Sequence, residues 1–87
     1  MTNEDQVRKG RKAQQILEDE TLNTAIAKLE NDQLWVFRAS KPEESVKRET
    51  AWCMLRAIDG LRQELIKIMD NGKVAQNAIN RSQKNLV

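Results

Sequence analysis

Apolar residues recur three and four positions apart along two long stretches of this chain. In the first stretch the stripe consists of Leu22, Ile26, Leu29, Gln33 and Val36, and in the second it consists of Ala51, Met54, Ile58, Leu61, Leu65 and Ile68. This spacing places side chains on one face of an α-helix. The pattern predicts helices over about 20–39 and 43–71, the second of which ends at Asn71 and Gly72 because glycine commonly terminates helices.

The connection between these two helices is short and contains Pro42. Proline disfavours helix at the residue before it, and Ser45 can cap the helix that follows. A connection this short makes consecutive helices antiparallel neighbours. We therefore expect an all-α fold built on an antiparallel helical hairpin whose two stripes face each other.

The flanking segments predict weaker elements. A short amphipathic helix is expected from Val7 to Leu17, weakened by Gly10 at a cost of about 1 kcal/mol relative to alanine. A weak helix is expected after Gly72, with residues 1–5 and 82–87 frayed. Gly60, inside the second long helix, implies either a close neighbour or a weak point. The whole chain, 1–87, is expected to form a single helical domain, since 87 residues are too few for a second core.

Several large apolar side chains lie beside the two stripes and are not buried by the hairpin alone. We predict a protein interface formed by residues beside the stripes, namely Trp35, Phe37, Trp52, Leu55 and Met69. Two helices bury only one side of each stripe, and a core this thin is often completed by oligomerisation. We expect another copy of the chain or a different protein to cover these residues.

Few catalytic groups are available. The chain has no histidine and no tyrosine, and its single cysteine, Cys53, lies in an apolar stretch that predicts a buried structural role. Neither metal-ligand spacing nor a phosphate-binding glycine loop is present. We expect a protein that is not an enzyme and uses neither cofactor nor metal. One cysteine and the lack of a long apolar run favour a soluble protein of a reducing compartment, without membrane association.

Positive charge is concentrated near the start of the chain. Arg8, Lys9, Arg11 and Lys12 follow closely on one another, and on a helix residues 8, 11 and 12 share a face that could contact phosphates. The formal net charge of only +2 argues against binding of nucleic acid by bulk charge. A solvated helix face is the simpler interpretation, and contact with nucleic acid is the alternative.

Four groups of residues together resemble a known class of protein. They are Arg8-x-Gly10-Arg11-x-Ala13, then Ala39-Ser40-x-Pro42, then Arg48-Glu49-x-x-Trp52-x-x-Leu55-x-Ala57-x-x-x-Leu61-Arg62-x-x-Leu65, and finally Gly72-Lys73-x-Ala75. Over roughly residues 8–75 this pattern is similar to that of small helical proteins encoded by tailed bacteriophages and prophages, often beside particle-assembly genes. Gly60 departs from the alanine or glutamate expected at its position.

The resemblance implies a bacteriophage protein without an assigned activity. Together with the exposed apolar residues it leads us to expect an accessory or morphogenesis protein that acts through helix-mediated contacts with itself or another phage protein. It would be found in the host cytoplasm or in the virion. Two alternatives are a small DNA-binding factor for packaging or transcription, and an inhibitor that docks on a host enzyme.

Overall fold

Three helices account for nearly all of the computed structural model, which describes residues 2–85. They are α1 (Asn3–Leu17), α2 (Glu20–Ala39) and α3 (Ser45–Asn85). No strand occurs among the described residues. The prediction of an all-α fold is confirmed.

α1 begins earlier than its apolar pattern indicates, because Thr2 caps it. The Thr2 hydroxyl accepts a hydrogen bond from the backbone N–H of Asp5 at 3.2 Å, which satisfies one of the free donors of the first turn. Helix is therefore present from Asn3, within the segment 1–5 where we expect fraying, and it also reaches Asn85 at the other end. Met1, Leu86 and Val87 lie outside the described residues.

α3 is one helix of 41 residues, so the predicted end at Asn71 and Gly72 is wrong. So is the prediction of a separate, weak helix after Gly72. A glycine that ends a helix usually takes a positive φ, and none of the described glycines does so. Gly72 is instead a buried helical residue, and close packing against a neighbouring helix offsets its low helix propensity.

The chain divides into two compact units. The central unit comprises residues 20–62, and the terminal unit comprises residues 1–19 with 63–87. α2 and the first part of α3 belong to the central unit, whereas α1 and the rest of α3 belong to the terminal unit. Each unit is described separately below.

In the central unit, the contact face of each helix differs from the predicted stripe. Ile26 and Ala51 are buried as the stripes require, but Leu29, Met54 and Leu61 are exposed. Their expected places are taken by Glu30, Leu55 and Arg62, all half-buried. The prediction that Leu29, Met54 and Leu61 lie in the contact between the helices is therefore wrong. The same holds for Ile68 in the terminal unit, which is 38% exposed.

An ion pair explains how charged residues come to lie on this contact face. Arg62 binds Glu30 through two nitrogens, with N–O distances of 3.2 and 3.5 Å. Both side chains are about one-third exposed. Their aliphatic stems can therefore pack between the helices while the charged ends pair with each other and with water. The face of α3 turns toward Leu55 and Arg62 and away from Met54 and Leu61.

The loop between α2 and α3 is held by one arginine. The guanidinium of Arg48 donates hydrogen bonds to the Ser40 hydroxyl at 3.0 Å, to the Lys41 carbonyl at 2.7 Å and to the Pro42 carbonyl at 2.9 Å. Two of these acceptors are carbonyls of the loop just beyond the end of α2, and the Lys41 carbonyl also accepts a hydrogen bond from the backbone N–H of Glu44 at 2.9 Å. Arg48 therefore connects the first turn of α3 to the end of α2.

Replacing Arg48 by alanine is expected to lower the free energy of unfolding by about 1–2 kcal/mol, because hydrogen bonds from a charged group are among the stronger ones and three are lost here. Urea unfolding followed by circular dichroism measures the change. The matched control is Lys47→Ala, which removes only the ion pair between an exposed lysine and Glu44 and should change stability little. Equal effects of the two variants would contradict this role of Arg48.

Candidate interaction surfaces

The two helices of the terminal unit meet at a pair of glycines. A β-carbon built on Gly72 would lie 2.8 Å from the Cα of Gly10 and 2.9 Å from the carbonyl oxygen of Gln6. A β-carbon on Gly10 would lie equally close to the Cα of Gly72. Backbone therefore contacts backbone at this crossing, and only glycine fits at either position.

Small residues extend the crossing on both helices. Ala13 follows Gly10 by three positions and Ala75 follows Gly72 by three positions, and both alanines are buried. Residues three apart lie on the same helix face, so each helix presents a glycine and an alanine to the other. From the sequence, Gly10 was predicted to weaken the first helix and Gly72 to end the long one. Their shared three-residue spacing to a buried alanine was the signal that pointed to a crossing.

Beside the crossing lies an open groove of about 420 Å³. Four apolar residues, Ala13 and Ile16 on α1 with Leu65 and Ile68 on α3, form its floor. Its other lining residues are polar or basic: Gln6, Arg8, Lys9, Lys12 and Asn71. The nine described residues that line it thus include three cations and no carboxylate.

The four basic residues predicted to contact nucleic acid lie along two neighbouring grooves of the terminal unit, and Arg8, Arg11 and Lys12 line the second of these together. Arg8, Lys9 and Lys12 line the first groove, whereas Arg11 donates a hydrogen bond to Gln76 of α3 at 3.4 Å. Arg8 also pairs with Asp5 at 3.2 Å, and both side chains are exposed. The hydrogen bond from Arg8, and next the one involving Thr2, lowers the pKa of the Asp5 carboxyl below its usual value. Contact of these residues with nucleic acid stays a prediction.

The five residues predicted to form a protein interface have different environments. Trp35 and Trp52 are 64% and 57% exposed. Phe37, Leu55 and Met69 are half-buried within the chain itself, and Met69 lies next to the glycine crossing. The two tryptophans therefore present the larger free apolar surfaces.

The tryptophans do not lie on the contact faces of their helices. Trp35 follows the buried Ile26 by nine positions, which is two and a half turns and puts it on the opposite face of α2. Trp52 directly follows the buried Ala51, and the guanidinium of Arg56 lies 5.9 Å from its ring centroid. That distance permits a cation–π interaction at the surface.

Three exposed apolar residues of the central unit were not among those predicted to form an interface. Leu29, Met54 and Leu61 are 47%, 43% and 55% exposed. The regular three-and-four spacing assigned them to the contact between the helices, so they were not considered for external contacts. The complementary charges of Glu30 and Arg62 were the only sign that the contact face is rotated.

The structure also describes the environment of Cys53, the arrangement of potential metal ligands and the apolar character of the helices. Cys53 is exposed, so the prediction of a buried structural role is wrong. Its apolar neighbours in sequence lie on several faces of the helix and do not enclose it. Within residues 2–85 there is no cluster of three or more potential metal ligands among histidine, cysteine, aspartate and glutamate. None of the described helices has the length and apolar character needed to cross a membrane.

Comparison with known proteins yields no match to a protein family, to a curated protein sequence or to a solved structure.

Proposed function

We propose that this protein is a non-enzymatic assembly protein that associates with a second copy of itself through one edge of its central unit. The observation that carries the proposal is the exposure of Leu29, Met54 and Leu61, three large apolar residues that the chain does not cover. Large apolar residues scattered singly are ordinary on protein surfaces, but a continuous patch indicates a contact site. The proposal therefore depends on these residues sharing one edge.

The arrangement of α2 and α3 that brings them together is an antiparallel hairpin over residues 20–62. Two contacts support this arrangement: Glu30 with Arg62, and Ser40 with Arg48. The later residue of α2 pairs with the earlier residue of α3, as antiparallel helices require. In this register Leu29 lies level with Leu61, and Val36 lies level with Met54.

The same edge of the hairpin holds all four of these residues. In α2, Leu29 and Val36 each follow a residue of the contact face, Ile26 or Gln33, by three positions. In α3, Met54 and Leu61 follow Ala51 and Ile58 by three positions. An offset of three residues turns the side chain to one fixed side of a helix, and for antiparallel helices those sides coincide. The edge, defined here as Leu29, Val36, Met54 and Leu61, is therefore uniformly apolar.

The size of this edge favours a reversible dimer. Covering the exposed halves of Leu29, Met54 and Leu61 on two copies would contribute about 4–9 kcal/mol at 1.5–3 kcal/mol for each fully buried side chain. Association costs about 4–15 kcal/mol in lost freedom of motion. Because the two quantities are similar, half-buried Val36 and contacts at the margin decide the affinity, and we expect a weak dimer with a dissociation constant of roughly millimolar order.

A second copy suits this edge better than an unrelated partner does. A symmetric dimer places the same patch on both subunits, so an uncharged apolar patch is complementary to itself. Polar residues flank it, as the exposed Lys28–Asp32 pair on α2 shows, and an apolar centre with a polar margin is the usual composition of protein interfaces. The biological setting that we propose, an accessory or morphogenesis role in a tailed bacteriophage, rests on the sequence resemblance alone.

Sedimentation equilibrium of the purified chain over a range of concentrations tests self-association. We expect a monomer–dimer equilibrium with a midpoint of roughly millimolar order, because the apolar area of the edge is small. A single monomeric species up to about 1 mM, the concentration at which even a very weak dimer would be populated, contradicts the proposal.

A further inference from the structure

We infer that the groove of the terminal unit is a docking site for an acidic amphipathic helix of another protein. The groove has the apolar floor described above, formed by Ala13, Ile16, Leu65 and Ile68, and a rim that carries Arg8, Lys9 and Lys12. This surface belongs to different residues from the apolar edge of the central unit. The inference therefore does not depend on self-association.

The floor has the composition that receives one face of a helix. α1 and α3 supply two apolar residues each, and the groove has a volume of about 420 Å³. A helix that docks in such a groove inserts side chains at positions i, i+3 or i+4, and i+7. Ile68 is 38% exposed and is available to contact them.

The rim determines the charge of the partner. Three cations and no carboxylate line the groove, so acidic residues flanking the inserted apolar face would meet opposite charges on the rim. The exposed pair between Arg8 and Asp5 does not prevent this, because a surface ion pair at 3.2 Å contributes little and can exchange for another carboxylate. The side-chain amides of Gln6 and Asn71 add hydrogen-bonding groups at the margin.

Neither a second copy of this chain nor duplex DNA fits the groove equally well. Among the described helices, α1 would bring its own Arg8, Lys9 and Lys12 against the same cations. On α2, Glu30 and Asp32 already pair with cations of the same chain. The acidic residues at 18–20 are consecutive and lie around the junction of α1 and α2, so they do not flank an apolar helical face. For DNA, four apolar residues at the centre of the site offer no partner to phosphate oxygens.

A pair of synthetic peptides tests the charge of the partner. The probe is a fluorescein-labelled helical peptide with leucine at i, i+3, i+4 and i+7 and glutamate on both flanks, and the comparison peptide has lysine in place of glutamate. Fluorescence anisotropy with the full chain should show binding of the glutamate peptide at least tenfold tighter than binding of the lysine peptide, because three rim cations attract the first and repel the second. Equal affinities, or preference for lysine, would overturn the inference.

Two matched pairs of variants locate the binding. Arg8→Glu, Lys9→Glu and Lys12→Glu together should weaken binding of the glutamate peptide roughly tenfold or more, whereas Lys67→Glu, Arg81→Glu and Lys84→Glu, with the same change in charge outside the groove, should leave most of it. Ile68→Asp should abolish the binding. Val74→Asp, at an exposed apolar residue of the same helix that does not line the groove, should not. If the two members of either pair behave alike, the groove is not the docking site.

Duplex DNA serves as the competing probe. A labelled 20-base-pair duplex should bind weakly, and Ile68→Asp should not change its affinity. The inference is overturned if the duplex binds with a steep dependence on salt, loses binding when Arg8, Lys9 and Lys12 are replaced, and the glutamate peptide does not bind.

Discussion

Replacing Gly72 by alanine is expected to detach α1 from α3 and to destabilise the terminal unit by about 2 kcal/mol. The added β-carbon would lie 2.8 Å from the Cα of Gly10 and 2.9 Å from the carbonyl oxygen of Gln6. Both neighbouring atoms belong to the backbone, so no side-chain rotation relieves the clash and the helices must separate. Overpacking that no side-chain rotation relieves costs about 3 kcal/mol, the upper end of the usual range, and about 2 kcal/mol of this remains after the roughly 1 kcal/mol that alanine gains over glycine inside a helix.

The control is the same substitution in the same helix, at Gly60. A β-carbon there meets nothing within 4 Å, so only the gain in helix propensity remains. We expect Gly60→Ala to raise the free energy of unfolding by about 0.5–1 kcal/mol. The two variants thus change stability in opposite directions although their chemistry is identical.

Hydrogen exchange detected by mass spectrometry distinguishes local detachment from general unfolding. In Gly72→Ala, peptides from α1 should exchange faster while peptides from α2 keep their protection, because Gly10 and Gln6 both belong to α1. Gly10→Ala should give the same result, since it produces the reciprocal clash. If Gly72→Ala is as stable as Gly60→Ala, the close crossing is wrong.

The positions of the helices could largely be predicted from the sequence. Helix formation depends on local propensity and on spacing, and both are written along the chain, so three helical stretches and the loop around Pro42 were predictable. The end of α3 was not. Asn71 and Gly72 carry the local signal of a helix end, but packing of Gly72 against Gly10, 62 positions earlier in the chain, keeps the backbone helical.

The rotation of the contact face in the central unit has a similar origin. Spacing alone cannot distinguish the set with Met54 and Leu61 from the set with Leu55 and Arg62, because both recur every seven residues. An average hydrophobicity favours the first set. The second is realised because Arg62 finds Glu30 across the contact, which is a relation between two helices and not a property of either one.

The same rotation explains what could be predicted of the candidate sites. Exposure of Trp35 and Trp52 follows from their position beside any plausible contact face, and the structure places both at the surface. The apolar edge with Leu29 and Leu61 becomes visible only when the contact face is known. The groove likewise requires the crossing at Gly10 and Gly72, which brings Ile16 and Leu65 to one surface.

Replacing Leu61 by glutamate is expected to convert the dimer into a monomer. In a symmetric dimer each substitution occurs twice, so two carboxylates would be buried in an apolar contact without a cation to pair with them. We expect sedimentation equilibrium of the variant to show only monomer at concentrations where the parent chain dimerises, since an unpaired buried charge costs several kcal/mol. Leu61 is 55% exposed in the single chain, so the thermal unfolding of the monomer should change little.

The control for Leu61→Glu is Trp35→Glu, which places the same charge on the face of α2 opposite to the helix contact. Trp35 is more exposed than Leu61, and its aromatic ring carries more apolar area, so general surface hydrophobicity would make Trp35→Glu the more disruptive variant. An interface at the apolar edge requires the reverse: Leu61→Glu and Met54→Glu dissociate the dimer and Trp35→Glu does not. If Trp35→Glu or Trp52→Ala dissociates it while Leu61→Glu leaves it intact, the interface lies on the tryptophans and the apolar edge has another role.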